Sequence, residues 1–272
     1  MDRIYRNLGL AHWQRATATP APVSHEAPDA AHAMPETARP VPAAHAHLAP
    51  LDREMLRDRR VIMADDSSSA AHAYRMLRSQ ILRQTRAHKL RTIGMVSAVD
   101  GEGKTLTAVN LALSLAAEPN QTVLLVDLDL RKPGVAELLC LGAEHGLDSW
   151  FEAAADLSEL FVRIHGIERL RVLPTLRALP GSSELLAGAS TAELLAELRG
   201  RYSDRLIIVD LPPVLLADDF LTVASLLDCV LLVVSEGRTR REDVSRMKEL
   251  LGGVRVLGTV LNSSTESERR SY

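Results

Sequence analysis

Aromatic side chains are scarce in this 272-residue chain, at 3% of residues, against a hydrophobic fraction of 46%. A core built from it has to lean on Leu, Val, Ala and Ile, a composition suited to helices packed on a buried parallel sheet. Cysteine is limited to Cys140 and Cys229. Both stand in apolar surroundings and are expected to be buried small hydrophobes, which excludes a disulfide framework. No apolar run reaches the roughly 18–20 residues of a membrane-crossing helix. The opening MDRIYRNLGL also lacks the apolar region and small-residue cleavage site of a secretion signal. The expected location is therefore cytoplasmic. Charge of one sign is lacking too: the net charge is −3, which points to neither nucleic acid nor an anionic membrane surface.

Composition divides the chain. Residues 1–14 offer Ile4, Leu8 and Trp13 on one side of a short helix, and residues 16–50 are rich in Ala, Pro and His. Repeated prolines forbid a continuous helix there, and little apolar surface is available to offset ordering entropy. Residues 1–50 are thus expected to be an extension with a loose linker, and its His25, His32, His45 and His47 show no recurring ligand spacing. From Leu51 the pattern becomes orderly. Asp66–Ser69 can cap a helix carrying Tyr74, Leu77 and Ile81 on one face. Beyond it, apolar runs at 93–97, 122–127, 170–174, 206–210, 229–235 and 254–262 alternate with helical stretches, one of them announced by a capping box at Ser190–Glu193. Alternation of this kind predicts an α/β fold with a mostly parallel sheet and helices on both faces.

The stretch SAVDGEGKT at 97–105 lies between an apolar strand and a helix. It fits the phosphate-loop consensus G-x-x-x-x-G-K-[ST], with Ala98 in place of the first glycine, tolerable where φ is negative. Gly101 and Gly103 let backbone N–H groups turn toward an anion at the helix N-terminus. The expected nucleotide contacts are Asp100, Gly101, Glu102, Gly103, Lys104 and Thr105, with Lys104 on the outer phosphates and the Thr105 hydroxyl on Mg²⁺. Two further strands end in acid: VLLVDLDLRKP carries Asp127, Asp129 and Arg131, and LIIVDLPP carries Asp210. Ligands of open α/β sheets bind at the carboxyl ends of strands, so these carboxylates should converge on the loop. Mg²⁺ takes one or two carboxylates plus phosphate oxygens, and Thr105, Asp127 and Asp210 are the expected set.

Together, AVDGEGKT, VLLVDLDLRKP and LIIVDLPP resemble the motifs of the bacterial tyrosine kinases, P-loop autokinases that govern capsule and exopolysaccharide synthesis. The resemblance spans roughly Leu51–Ser264. It implies an Mg·ATP-dependent transfer of the γ-phosphate to tyrosine, with Lys104, Asp127, Asp129 and Asp210 as the catalytic set. Asp127 would assist deprotonation of the phenol, and Asn262, at the end of VLGTVLN, would bond the nucleotide base. It also implies a membrane-embedded chain-length regulator as partner, which would recruit the protein to the inner membrane, and self-association into a ring or smaller oligomer. Arg75 and Arg78 match part of the family's E-x-x-R-x-x-R oligomer contact, where His72 replaces the glutamate. The expected mobile tail, residues 265–272, ends in Tyr272, the expected phosphoacceptor in trans, with Tyr5, Tyr74 and Tyr202 as alternatives. Two other readings stand beside this one: a kinase-inactive ATP-binding regulator of polysaccharide export, and a ParA/MinD-like ATPase. Val99 argues against the latter, since that group carries a lysine at the aligned position.

Overall fold

In a computed structural model, the described residues are 47–153, 155–201, 205–216 and 219–264. Across them runs an eight-stranded sheet. Its strands are β1 (His47–Ala49), β2 (Thr92–Ser97), β3 (Val123–Asp127), β4 (Val162–Ile164), β5 (Ile167–Leu173), β6 (Leu206–Asp210), β7 (Cys229–Ser235) and β8 (Val256–Asn262). The spatial order is β1-β4-β5-β3-β6-β2-β7-β8. Every pairing is parallel except the β4–β5 hairpin. The α/β expectation therefore holds, with one antiparallel excursion near the edge.

The central strands β2, β3 and β6 are buried at every position, the signature of a sheet covered on both faces. Alternation assigns the faces. Ile93, Met95, Val123 and Leu125 pack on one side with Leu77 and Ile81 of α2 (Ser69–His88) and Leu111 and Leu115 of α3 (Lys104–Ala116). Val96, Leu124 and Val126 point to the other, under Leu194 of α7 (Ala189–Arg201), Phe220 of α8 (Asp219–Ala224) and Met247 of α9 (Arg241–Leu251). Among the described residues no helix is long and apolar enough to cross a membrane.

Several local expectations hold. The Ser68 hydroxyl accepts the Ala71 N–H at the start of α2. Tyr74 is packed: its phenol bonds Thr107 and Asn110, and burial pushes its pKa up. Others differ. His47–Ala49, at the end of the stretch read as linker, form edge strand β1 beside β4, with Ala49 fully buried. The capping-box residues Ser190–Glu193 lie inside α7 rather than ahead of it. The chain breaks earlier, at Gly188 after α6 (Ser182–Ala187), and the Thr191 hydroxyl donates to the Leu185 carbonyl across that break. Cys229 is buried, and its thiol is pushed up to about 12, chiefly by burial. Cys140 is only half-buried, at φ +52° with its Sγ 3.0 Å from Met55 Sδ. The remaining α-helices among the described residues are α1 (Arg53–Asp58), α4 (Val135–Leu138) and α5 (Leu147–Ala153). The first fourteen residues, Tyr202 and the tail 265–272 lie outside the described residues.

Candidate active site

Strands β2, β3 and β6 are neighbours whose carboxyl ends lie together, so sheet register alone assembles the site. Asp127 and Asp210 end β3 and β6 on the same rung of the ladder. From β2 the chain passes through the loop 98–103 into α3. Ala98 does not adopt a positive φ, so the methyl at this position costs nothing. Gly101 and Gly103 do, at +76° and +82°, values that L side chains resist. The loop is held from below: Val214 and Leu215 donate their N–H groups to the carbonyls of Ser97 and Ala98.

Lys104, the first residue of α3, is nearly buried, and its Nζ lies 2.7 Å from Asp210 Oδ1 and 3.3 Å from Asp129 Oδ2. Burial disfavours the ammonium, but Asp210 and then Asp129 outweigh it and hold the Lys104 pKa above its ordinary value. Asp210 has its own pKa raised: burial is the largest cause, and the Lys104 charge and bonds from Lys104 and Thr105 only partly offset it. Its second oxygen, Oδ2, is buried without a hydrogen-bond partner among the described residues.

Asp127 is fully buried and its pKa is raised well above the carboxylate range, by desolvation first and by Asp210 second. Its oxygens accept the backbone N–H groups of Gly134 and Val135, both at 3.0 Å, and of Asp129 at 3.2 Å. These bonds fold the segment after β3 into a tight loop. Asp129 Oδ1 extends the loop by accepting the Lys132 N–H at 3.1 Å. Lys132 in turn pairs through its ammonium with Asp100 of the phosphate loop. A cavity of about 340 Å³ opens between the two loops, lined by Lys104, Thr105, Asp129, Lys132, Asp100 and Pro213 among others. A slightly larger cavity of about 390 Å³, near Arg53, Asp65 and Glu168, lies away from the phosphate loop and holds none of the catalytic candidates.

Glu102 and Asn262 do something their place in the motif does not announce. The Glu102 carboxylate turns away from the cavity, 1% exposed. It accepts the Val99 N–H at 2.9 Å and the Thr239 hydroxyl, which itself accepts the Ser235 N–H at 2.8 Å. That chain of bonds staples the phosphate loop to the segment after β7. Asn262, at the end of β8, donates its amide to the Glu102 carbonyl at 3.0 Å and packs over Gly103. Sequence reasoning missed the staple, and also Arg238, whose guanidinium lies over Gly101. No local pattern in the sequence signals them: the segment after β7 borders the loop because β7 pairs directly with β2.

Arg75 and Arg78 have partners within the chain. Arg75 donates to the Asp66 carbonyl at 2.9 Å, and Arg78 to the Ser114 carbonyl at 3.1 Å. Arg78 Nε is also 3.0 Å from Glu118 Oε1, close enough to pair by charge though not aligned as a hydrogen bond.

A parallel sheet with a glycine loop running into a helix, a buried lysine at its N-terminus and acids at the ends of neighbouring strands defines a P-loop protein. No family model matches the chain. The tyrosine-protein kinase YwqD of Bacillus subtilis is 30% identical over 214 residues, covering 78% of this chain and 89% of that protein. The kinase domain of VpsO, a solved structure, superposes with a TM-score of 0.62 at 31% identity, covering 69% of this chain and 92% of that one. The succinoglycan biosynthesis transport protein ExoP of Rhizobium meliloti is 29% identical over 218 residues, 78% of this chain but 27% of that longer protein. The chain belongs to the bacterial tyrosine-protein kinases.

Proposed function

We propose that this protein is an Mg·ATP-dependent tyrosine autokinase of exopolysaccharide synthesis, working beside a separate membrane-embedded chain-length regulator that brings it to the inner membrane. The observation that carries the reading is Lys104, at the wall of the phosphate-loop cavity, held between Asp210 and Asp129, with Asp127 on the same rung as Asp210. An arriving triphosphate offers Lys104 an anion outside its carboxylate pair.

Oxygen donors suit a hard cation, and Asp210, whose Oδ2 is buried without a hydrogen-bond partner among the described residues and whose carboxylate interacts with the Thr105 hydroxyl, supports Mg²⁺ at that pair. Among the described residues no three His, Cys, Asp or Glu side chains converge as a ready metal cage. A nucleotide-borne Mg²⁺ needs fewer protein ligands. When bound it neutralises charge on the phosphates. Asp127 belongs to the expected ligand set as well; its Oδ2 already accepts two backbone N–H groups and its Oδ1 one, which leaves Oδ1 the freer oxygen for a metal or a proton.

The chain's own residues then divide the work. Backbone N–H groups of the loop and Lys104 fix the triphosphate, and most of the barrier reduction comes from this positioning and charge neutralisation. The tyrosine oxygen attacks the γ-phosphorus, the bond to the β-phosphate oxygen breaks, and ADP leaves. The phenol proton passes to Asp127, whose raised pKa brings it closer to the range in which a carboxylate can act as base near neutral pH. Tyr272 is the proposed acceptor, presented by a neighbouring copy, with Arg75 and Arg78 on the helix that meets that neighbour.

Purified full-length protein incubated with Mg·ATP should gain phosphotyrosine, and Tyr272→Phe should lose most of it. Absence of signal in the unaltered protein, even with the regulator's cytoplasmic segment added, would move the assignment to a binding module. That second reading draws on His72, which cannot supply the family's glutamate.

A further inference from the structure

Both lysines that line the phosphate-loop cavity are already paired with carboxylates. Lys104 is shared between two carboxylates, Lys132 is paired with Asp100, and Val99 brings no charge to the loop. A triphosphate bears several negative charges. Some further cation at the loop tip would favour its terminal phosphate over a diphosphate.

Arg238 is in position to supply it. It sits in the segment between β7 and α9, and its guanidinium lies flat over Gly101: a methyl added at Gly101 would meet Cζ, Nη1 and Nη2 at 2.7, 2.8 and 2.8 Å. Three atoms at nearly equal distance mean a face-on seat, available because residue 101 is glycine. The seat is built rather than accidental. Thr239, the next residue, is bonded on one side to the buried Glu102 carboxylate of the same loop and on the other to the Ser235 N–H. The Arg238 N–H also donates to the Ser235 carbonyl at 3.2 Å. Backbone and neighbour are thus tied down while the side chain is exposed. Among the described residues, no carboxylate or carbonyl engages its guanidinium. A planar guanidinium resting on the loop by its face keeps its N–H edge free, the geometry suited to phosphate oxygens.

We propose that Arg238 is a specificity residue of the nucleotide site, a cation lent to the loop by the adjacent strand to contact the terminal phosphate of a nucleoside triphosphate. The proposal rests on the reading of this site as an ATP site. It assigns Glu102 and Thr239 the role of holding Arg238 in place, which explains a buried carboxylate in a loop that must attract anions.

Binding of fluorescent ATP and ADP analogues to the full-length protein, with Mg²⁺ present, tests both levels separately. If the unaltered protein binds neither nucleotide, the ATP-site reading itself falls. If it binds them, Arg238→Gln should weaken ATP by about ten-fold or more, the loss expected for a charge-assisted hydrogen bond, and ADP far less. Arg238→Lys should recover part of the difference, and the nucleotide-free melting temperature should stay unchanged in both variants because the side chain is exposed. Equal weakening of ATP and ADP, or no weakening of either, overturns the proposal. So does a changed preference for adenine over guanine nucleotides with the ATP/ADP ratio intact, which would place Arg238 on the base.

Discussion

Asp127 and Asp210 face each other across one rung of the ladder between β3 and β6, both without solvent exposure. Burial and the second carboxylate raise the pKa of Asp127 well above the ordinary range. A group whose folded pKa exceeds its unfolded one binds extra protons in the native state across the interval between them. Its stabilising contribution is complete below the unfolded pKa and is lost as pH rises through the folded one. The nucleotide-free protein should therefore lose stability on going from mildly acidic toward neutral pH. Asp127→Asn should flatten that dependence and raise the melting temperature at neutral pH, by about 2–4 °C per kcal/mol of repulsion removed. An amide oxygen at the Oδ2 position still accepts from Gly134 and Val135, so only the bond from Asp129 is forfeited. Melting curves across pH check the stability, and the phosphotyrosine assay should show activity lost in the same variant.

Lys104→Met removes more than a phosphate contact. It leaves Asp210 and Asp129, both nearly buried, without their cation. Breaking a buried pair from one side costs about 3–5 kcal/mol, less to the extent that Asp210 takes up a proton. The variant should be inactive and also measurably less stable in urea, with the deficit shrinking at lower pH. Loss of activity at unchanged stability at every pH would mean that the ion pair does not hold in solution.

The fold was legible where burial on both faces makes strands continuous apolar runs, as in LIIVD at 206–210, whose bounds match β6 residue for residue. It was less legible at the edges. The strand at 162–164 is three residues long and pairs antiparallel, too short for periodicity to register. The Ser190–Glu193 pattern misled because Gly188 ends one helix and the next begins immediately. In the site, residues aligned by sheet register were readable, since strand ends announce them. Glu102, Thr239 and Arg238 were not. Their contact spans more than 130 residues of chain and depends on which strand lies beside β2, a fact no local spacing encodes.

The Glu102–Thr239 staple should tune nucleotide affinity without touching the nucleotide. Thr239→Val leaves the buried Glu102 oxygen and the Ser235 N–H without their hydroxyl partner. A buried group left unsatisfied costs about 1–3 kcal/mol, more when charged. The variant should melt lower and show a raised KM for ATP, while kcat at saturating ATP falls less. Thr239→Ser restores the hydroxyl and should restore both. A steady-state comparison of the three proteins decides it, and an unchanged KM in Thr239→Val would remove the staple from any role in binding.

Gly103 offers the severest test of how closely β8 supports the loop. A methyl at residue 103 would sit 1.8 Å from Asn262 Nδ2, at a φ of +82°. Gly103→Ala must therefore expel Asn262 from its bond to the Glu102 carbonyl and bear left-handed strain of about 1–2 kcal/mol besides. We expect nucleotide binding to be lost. Adding Asn262→Ala in that background relieves the collision but not the strain. The double variant should be more stable than Gly103→Ala alone, and still less stable than Asn262→Ala alone. A double-mutant cycle in urea measures the coupling directly. Strict additivity of the two changes would show that Asn262 does not rest on the loop, and would leave the family-implied contact with the base as its only task.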